Sequence, residues 1–154
     1  MSEDKLTLFQ HAEAEIVGLH RFFANWYNAD KADKLDFSRF ERAIGEGFRM
    51  VVPDSGKILD REAVLAYVRN NRGSFHGEFI IEIEDVSAGW EADDVIVVTY
   101  IEAQFRGGQW SRRRASALFS RSSSAPNGVE WRHLQETWLQ MPEADGFNSK
   151  RTET

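Results

Sequence analysis

Residues 100–119 read YIEAQFRGGQWSRRRASALF. Two apolar runs, Tyr100 to Phe105 and Arg113 to Phe119, flank the pair Gly107-Gly108, a two-residue hairpin signal because only glycine enters the required positive φ freely at both positions. A two-residue turn pairs Arg106 with Gln109 and, counting back, Glu102 with Arg113, Tyr100 with Ala115 and Val98 with Ala117. A one-residue slip would invert every face. The next run, Val129 to Gln140, follows a loop rich in Ser, Pro and Gly from Ser122 to Gly128. Pairing Arg121 with Glu130 sets Ala117 opposite Leu134, Ala115 opposite Glu136 and Arg113 opposite Trp138. Glu102, Arg113 and Glu136 then share one face with Tyr100, Phe119 and Trp138, so charge converges inside a greasy surface.

Outward from this core the chain is helical first and β later. Leu6 to Ala29 repeats apolar residues at Phe9, Ala12, Ile16, Leu19, Phe23 and Trp26, the spacing of one helix face. His20 and Tyr27 lie beside that stripe, and Glu13, Glu15 and Arg21 fall away from it. A shorter helix is expected over Asp36 to Ile44, ended by Gly45 and Gly47, and a third from an Asp60 N-cap to near Gly73, with Val64, Leu65 and Val68 inside. Strands are expected over Phe48 to Val52, Lys57 to Leu59, Glu78 to Val86, Asp94 to Arg106, Ser111 to Arg121 and Val129 to Gln140. Helices followed by long strands predict an α+β fold, helices gathered on one side of a curved sheet.

The chain of 154 residues suits one domain with one core. Residues 1–141 are expected to form it, and 142–154, polar after Pro142, an unpacked tail. There is no cysteine, which excludes disulfides and thiol nucleophiles and fits a cytoplasmic setting. A net charge of −6 argues against nucleic-acid binding. No apolar run reaches the ~20 residues that cross a bilayer, and no secretory leader is read at the N-terminus. Arg112, Arg113 and Arg114 cannot form one basic stripe, because neighbours on a strand face opposite ways. No metal-ligand cluster, phosphate loop or nucleophile elbow is visible, so no metal or cofactor is expected.

Arg113 between two carboxylates is either a buried network that fixes register or the polar part of a pocket. The pocket reading draws on the spare acceptor capacity of two carboxylates sharing one arginine. Its lining is Tyr100, Glu102, Arg113, Glu136 and Trp138, with Trp26 reaching in from the first helix. The opposite face carries Ile101, Phe105, Leu118 and Trp131 with Arg112, Arg114 and His133, a mixture that suits a homodimer surface.

The order of elements, with the segments Phe48 to Pro53, Tyr100 to Gln104, Arg113 to Phe119 and Trp131 to Leu139, resembles the NTF2-like superfamily, in particular its SnoaL-like and ketosteroid-isomerase-like domains, over about Leu8 to Met141. The resemblance implies three helices on a strongly curved, mainly antiparallel sheet (a cystatin-like cone), an interior cavity and a homodimer. Isomerases, dehydratases, cyclases, hydrolases and plain binding or assembly modules share this fold, so it does not assign an activity. Ketosteroid isomerases place a general-base Asp before the proline that ends the first strand, and a phenol on the first helix. Those positions are Val52 and Phe23 here, which leaves Glu102 and Glu136 as candidate bases. The readings are a cone that binds a small amphipathic molecule, an isomerase, dehydratase or hydrolase using a buried Glu, or a structural dimer module.

Overall fold

The computed structural model describes residues 5–142. Residues 1–4 and the tail expected after Pro142 lie outside that range. Helix α1 spans Leu8–Trp26, α2 Ser38–Glu41 and α3 Arg61–Asn70. The strands are β1 Ile44–Val51, β2 Ile58–Asp60, β3 Phe79–Ala92, β4 Val95–Arg106, β5 Gln109–Arg121 and β6 Val129–Gln140. They form one six-stranded sheet in the order β2-β1-β6-β5-β4-β3. Among these described strands only the β1–β6 pairing is parallel, and the sheet curves around the helices. The α+β cone expected from the sequence is therefore the fold.

Helix α1 starts where the sequence offers a cap. Thr7 Oγ1 accepts from the Gln10 amide at 3.1 Å and Gln10 Oε1 accepts from the Thr7 amide at 2.8 Å, a reciprocal pair that satisfies two otherwise orphaned donors. Ala12, Ile16, Leu19 and Trp26 of its stripe are buried. Asp60 caps α3 as expected, accepting from the Ala63 amide at 2.9 Å. Val64, Leu65 and Val68 of α3 are buried with α1 and with Ile96, Val98, Ala117 and Phe119 of the sheet in one core.

The hairpin register follows from its turn. Gly107 and Gly108 both have positive φ, 62° and 81°, and β4 pairs with β5 through Arg106↔Gln109, Glu102↔Arg113, Tyr100↔Ala115 and Val98↔Ala117. Between β5 and β6 the pairs Arg113↔Trp138, Ala115↔Glu136 and Ala117↔Leu134 also stand. Nearer the loop they do not. Ser120 faces Glu130, Arg121 faces Val129, and a bulge between Leu118 and Phe119 absorbs one extra residue on β6.

That bulge overturns one assignment. It puts Trp131 on the inner face opposite Phe119, with ring centroids 4.5 Å apart, and Trp131 is 2% exposed. Trp131 is core and no part of an outer surface. Glu15, placed off the buried stripe by periodicity alone, is also inside, with no exposed surface. Arg39 donates to both its oxygens at 3.0 and 3.1 Å, Asn127 at 2.8 Å and the Trp131 indole at 2.9 Å. The carboxylate thus joins α1, α2, the β5–β6 loop and β6.

Two boundaries also differ. Strand β1 begins at Ile44, and Gly47 (φ 81°) sits within it at an irregularity in the β6 pairing, so the glycines expected to end a helix continue a strand. Strand β3 runs on to Ala92 through two bulges, one beside Asp85 at φ 55°. Arg112 and Arg114 point outward to Glu84 and Asp85, at 3.3 and 3.0 Å, and Arg113 points inward.

Candidate functional site: a charged network inside the cone

Two adjacent rungs of the inner sheet face build the site. Ladder pairing aligns Tyr100, Ala115 and Glu136 on one, and Ile83, Glu102, Arg113 and Trp138 on the next. Ala115 projects only a methyl group between the Tyr100 ring and the Glu136 carboxyl. The three charged residues are thus gathered on one face, and Tyr100, Glu102 and Glu136 are 0%, 5% and 6% exposed.

Their bonds differ from a simple arginine bridge. Arg113 donates through Nη1 to Glu136 Oε1 at 3.2 Å. Glu102 is held instead by Gln104, whose Nε2 donates to Oε2 at 2.6 Å, and by His20 of α1, whose Nε2 lies 3.2 Å from Oε1. His20 Nδ1 donates to the Ile16 carbonyl at 2.7 Å. An unprotonated Nε2 would set a lone pair against a carboxylate oxygen, so the ring is an imidazolium. His20 also meets the Tyr100 ring edge-on at 5.6 Å, covering the network from the helix side.

At the other end Trp138 lies under the Arg113 guanidinium, 4.6 Å from its centroid, and its indole donates to Asp54 in the β1–β2 turn at 2.7 Å. A cation over an aromatic face is attracted by the ring quadrupole while one edge stays free for other partners. Trp26 is elsewhere. Its indole donates to the Val68 carbonyl at 2.7 Å and its ring stacks on Phe22 at 5.4 Å, so it fastens α1 to α3. Between α1 and β3 a cleft of about 310 Å³, walled by Val17, Ala24, Phe79, Ile81 and Ile83, also touches His20.

Two polar atoms in this interior are unsatisfied. The Tyr100 hydroxyl and Arg113 Nε are buried and find no hydrogen-bond partner among the described residues. Both can donate, and such buried orphans are uncommon because each costs desolvation without return.

The two carboxyls are driven apart. Burial opposes the charge of Glu102, but His20 chiefly, then Arg113 and Gln104, hold its pKa at about 2, below the ordinary 4.5. Burial and the Glu102 charge push Glu136 up to about 7, against the pull of Arg113. Burial and then both carboxylates raise the Tyr100 phenol well above its usual range. Burial works against a charged His20, and Glu102 outweighs it, so the imidazolium persists above its usual range. Glu102 is therefore a fixed anion with both oxygens engaged, and Glu136 is the carboxyl able to exchange a proton near neutrality.

His20 and Asp54 are site residues that sequence reasoning missed. His20 was legible only as lying beside the α1 stripe, because its partner is 82 residues away on β4. Asp54 stands in the Pro53-Asp54-Ser55-Gly56 stretch, a composition that signals a turn and nothing more.

No family model matches the chain, and no curated protein matches it. Solved structures do. An NTF2-like protein of unknown function from Pseudomonas aeruginosa is 28% identical, covering 84% of this chain and 98% of its own, with a TM-score of 0.73. An NTF2-like protein from Cytophaga hutchinsonii is 12% identical over 87% of this chain and 100% of its own, with a TM-score of 0.66. The CaMKII hub of S. rosetta is 11% identical over 84% and 95%, with a TM-score of 0.65. The last two likenesses are of fold. The cone and the strand order are thus the NTF2-like fold, and the likeness to the first of these structures supports assignment of the chain to the NTF2-like superfamily.

Proposed function

We propose that the chain binds a small amphipathic molecule in the cone, its polar group against Tyr100, Arg113 and Glu136 and its apolar body against Trp138. The observation that carries this reading is the pair of unsatisfied buried atoms, the Tyr100 hydroxyl and Arg113 Nε. A network that only fixed register has no use for donors left unpaired among four charged groups. A ligand with an acceptor group completes them.

Tyr100→Phe tests this, because a structural hydroxyl and a binding hydroxyl predict opposite stability changes. Removing an unpaired buried hydroxyl should raise unfolding free energy by about 1 kcal/mol and weaken binding of ligands found by Trp fluorescence quenching. A loss of more than ~1 kcal/mol in urea melts would mean that the hydroxyl serves the fold, and would remove the main support for the pocket.

A second reading, general acid–base chemistry as in an isomerase, dehydratase or hydrolase, is favoured by one observation. Glu136 titrates near 7 while Glu102 stays ionised, so Glu136 is the base or acid and Glu102 its electrostatic partner.

For assembly, the composition of the outer sheet face suits a homodimer. Ile101, Phe105 and Leu118 are partly exposed on it beside the Arg112–Glu84 and Arg114–Asp85 ion pairs, the apolar centre and charged rim of an isologous interface. Leu118→Glu should give a monomer in sedimentation velocity. A variant that sediments as the unmodified chain does would place any interface elsewhere.

A further inference from the structure

We infer that the interior site takes a carboxylate group, held by the free Nε edge of Arg113 and the Tyr100 hydroxyl, and that Glu136 takes up one proton as it binds. This deepens the interior-ligand reading and rests on it.

The donor geometry comes first. Glu136 occupies the Nη1 corner of Arg113, and Nε is buried with no partner among the described residues. The Nε edge of a guanidinium offers parallel N–H groups that fit the two oxygens of a carboxylate. Tyr100, one rung away, adds a hydroxyl that has no acceptor among the described residues. Its rise in pKa keeps that hydroxyl a donor. Both of these buried unpartnered atoms can donate, so an acceptor group would satisfy them together.

Charge then selects the ionisation state. The groups that face Glu136 are Arg113 on β5, Tyr100 and Glu102 on β4 and His20 on α1, with Asp54 of the β1–β2 turn acting on Arg113. With Glu136 ionised, His20 and Arg113 balance Glu102 and Glu136, and a ligand anion would add an uncompensated buried charge. With Glu136 protonated, the interior has one positive charge in excess. A carboxylate restores neutrality. The proton comes from solvent onto a Glu136 oxygen, and no covalent bond to the ligand forms. Because Glu136 already titrates at about 7, the exchange is inexpensive at neutral pH. Ile83 and Trp138 end the rung of Glu102 and Arg113, so the anion's body meets apolar walls.

Calorimetry on the full chain tests this with benzoate and hexanoate against their neutral amides, from pH 6 to 8.5, in two buffers of different ionisation enthalpy. Carboxylates should bind at least ~10-fold tighter than amides at pH 6, and about one proton should be taken up at pH 8. Affinity should fall about tenfold per pH unit above the Glu136 pKa, by proton linkage. Glu136→Gln should bind carboxylates with no uptake and a flat pH profile. Arg113→Lys keeps the charge that holds the network together but lacks the Nε edge, and should lose the preference for carboxylates. Equal binding of acids and amides, uptake of no proton, or a preference surviving in Arg113→Lys would overturn this inference and leave the interior pocket standing. Failure of both series to bind at ~20 mM would overturn both.

Discussion

Replacing Glu15 with alanine should cost about 3–5 kcal/mol of unfolding free energy, the range for removing one partner of a buried ion pair. The carboxylate is fully buried and accepts four hydrogen bonds, from Arg39, Asn127 and Trp131. Its removal leaves the Arg39 guanidinium facing a cavity and the Trp131 indole N–H without an acceptor, and loosens the anchor of the β5–β6 loop on α1. Glu15→Gln should lose less, because an amide oxygen still accepts, although its NH₂ must then face Arg39 or Asn127. Urea denaturation near pH 7 measures both. A loss below ~1 kcal/mol for Glu15→Ala would mean that water replaces the carboxylate freely and that this corner of the core is loose.

The second large effect is expected at His20. In His20→Phe the ring shape is roughly kept while Glu102 loses its cation, leaving a buried carboxylate with Gln104 as its direct partner, again at a cost of about 3–5 kcal/mol at neutral pH. Its pH dependence separates an ion pair from mere packing. Glu102 titrates at about 2 in the fold and 4.5 ordinarily, so it contributes stability that is present above 4.5 and lost as pH falls through 2, on the order of 3 kcal/mol. His20 is raised above its ordinary value, so its contribution is complete below that value and disappears as pH climbs through the folded pKa. The variant lacks the His20 contribution and keeps only the part of the Glu102 contribution that Arg113 and Gln104 supply. The gap between the two proteins should therefore be widest at intermediate pH and narrow on both sides. A constant gap from pH 2.5 to 9 would show that His20 acts only by filling space.

The parts of the site that were legible in the sequence are those fixed by local rules. Gly107-Gly108 closes a two-residue turn, and such a turn pins the pairing of every residue behind it, so Glu102 opposite Arg113 followed by counting. Ala115 opposite Glu136 was reached through a longer loop by an assumed pair that is off by one at Arg121. It came out right because the bulge at Leu118–Phe119 restores the count. The same bulge carried Trp131 to the other face, and nothing in residues 129–133 signals it.

What escaped was set by tertiary contacts. Periodicity in α1 marks an apolar stripe but not a carboxylate buried by residues more than twenty positions away, so Glu15 read as surface. His20 gained its meaning from a strand that the helix periodicity does not see. The period-two pattern of β3 is legible only as far as Val86, because Asp85 and the bulge after it break it, although the pairing with β4 continues to Ala92.

The proposed ligand site is the interior of the cone, where the unpaired donors await an acceptor. A crystal structure of the protein grown with benzoate at ~20 mM tests that most directly. A planar carboxylate is expected within hydrogen-bonding distance of both Arg113 Nε and the Tyr100 hydroxyl, its ring near Trp138, with His20 still on Glu102. A dry interior in which the Tyr100 hydroxyl and Arg113 Nε bond to protein groups, and no molecule sits between the rungs of Tyr100 and Glu102, would contradict it.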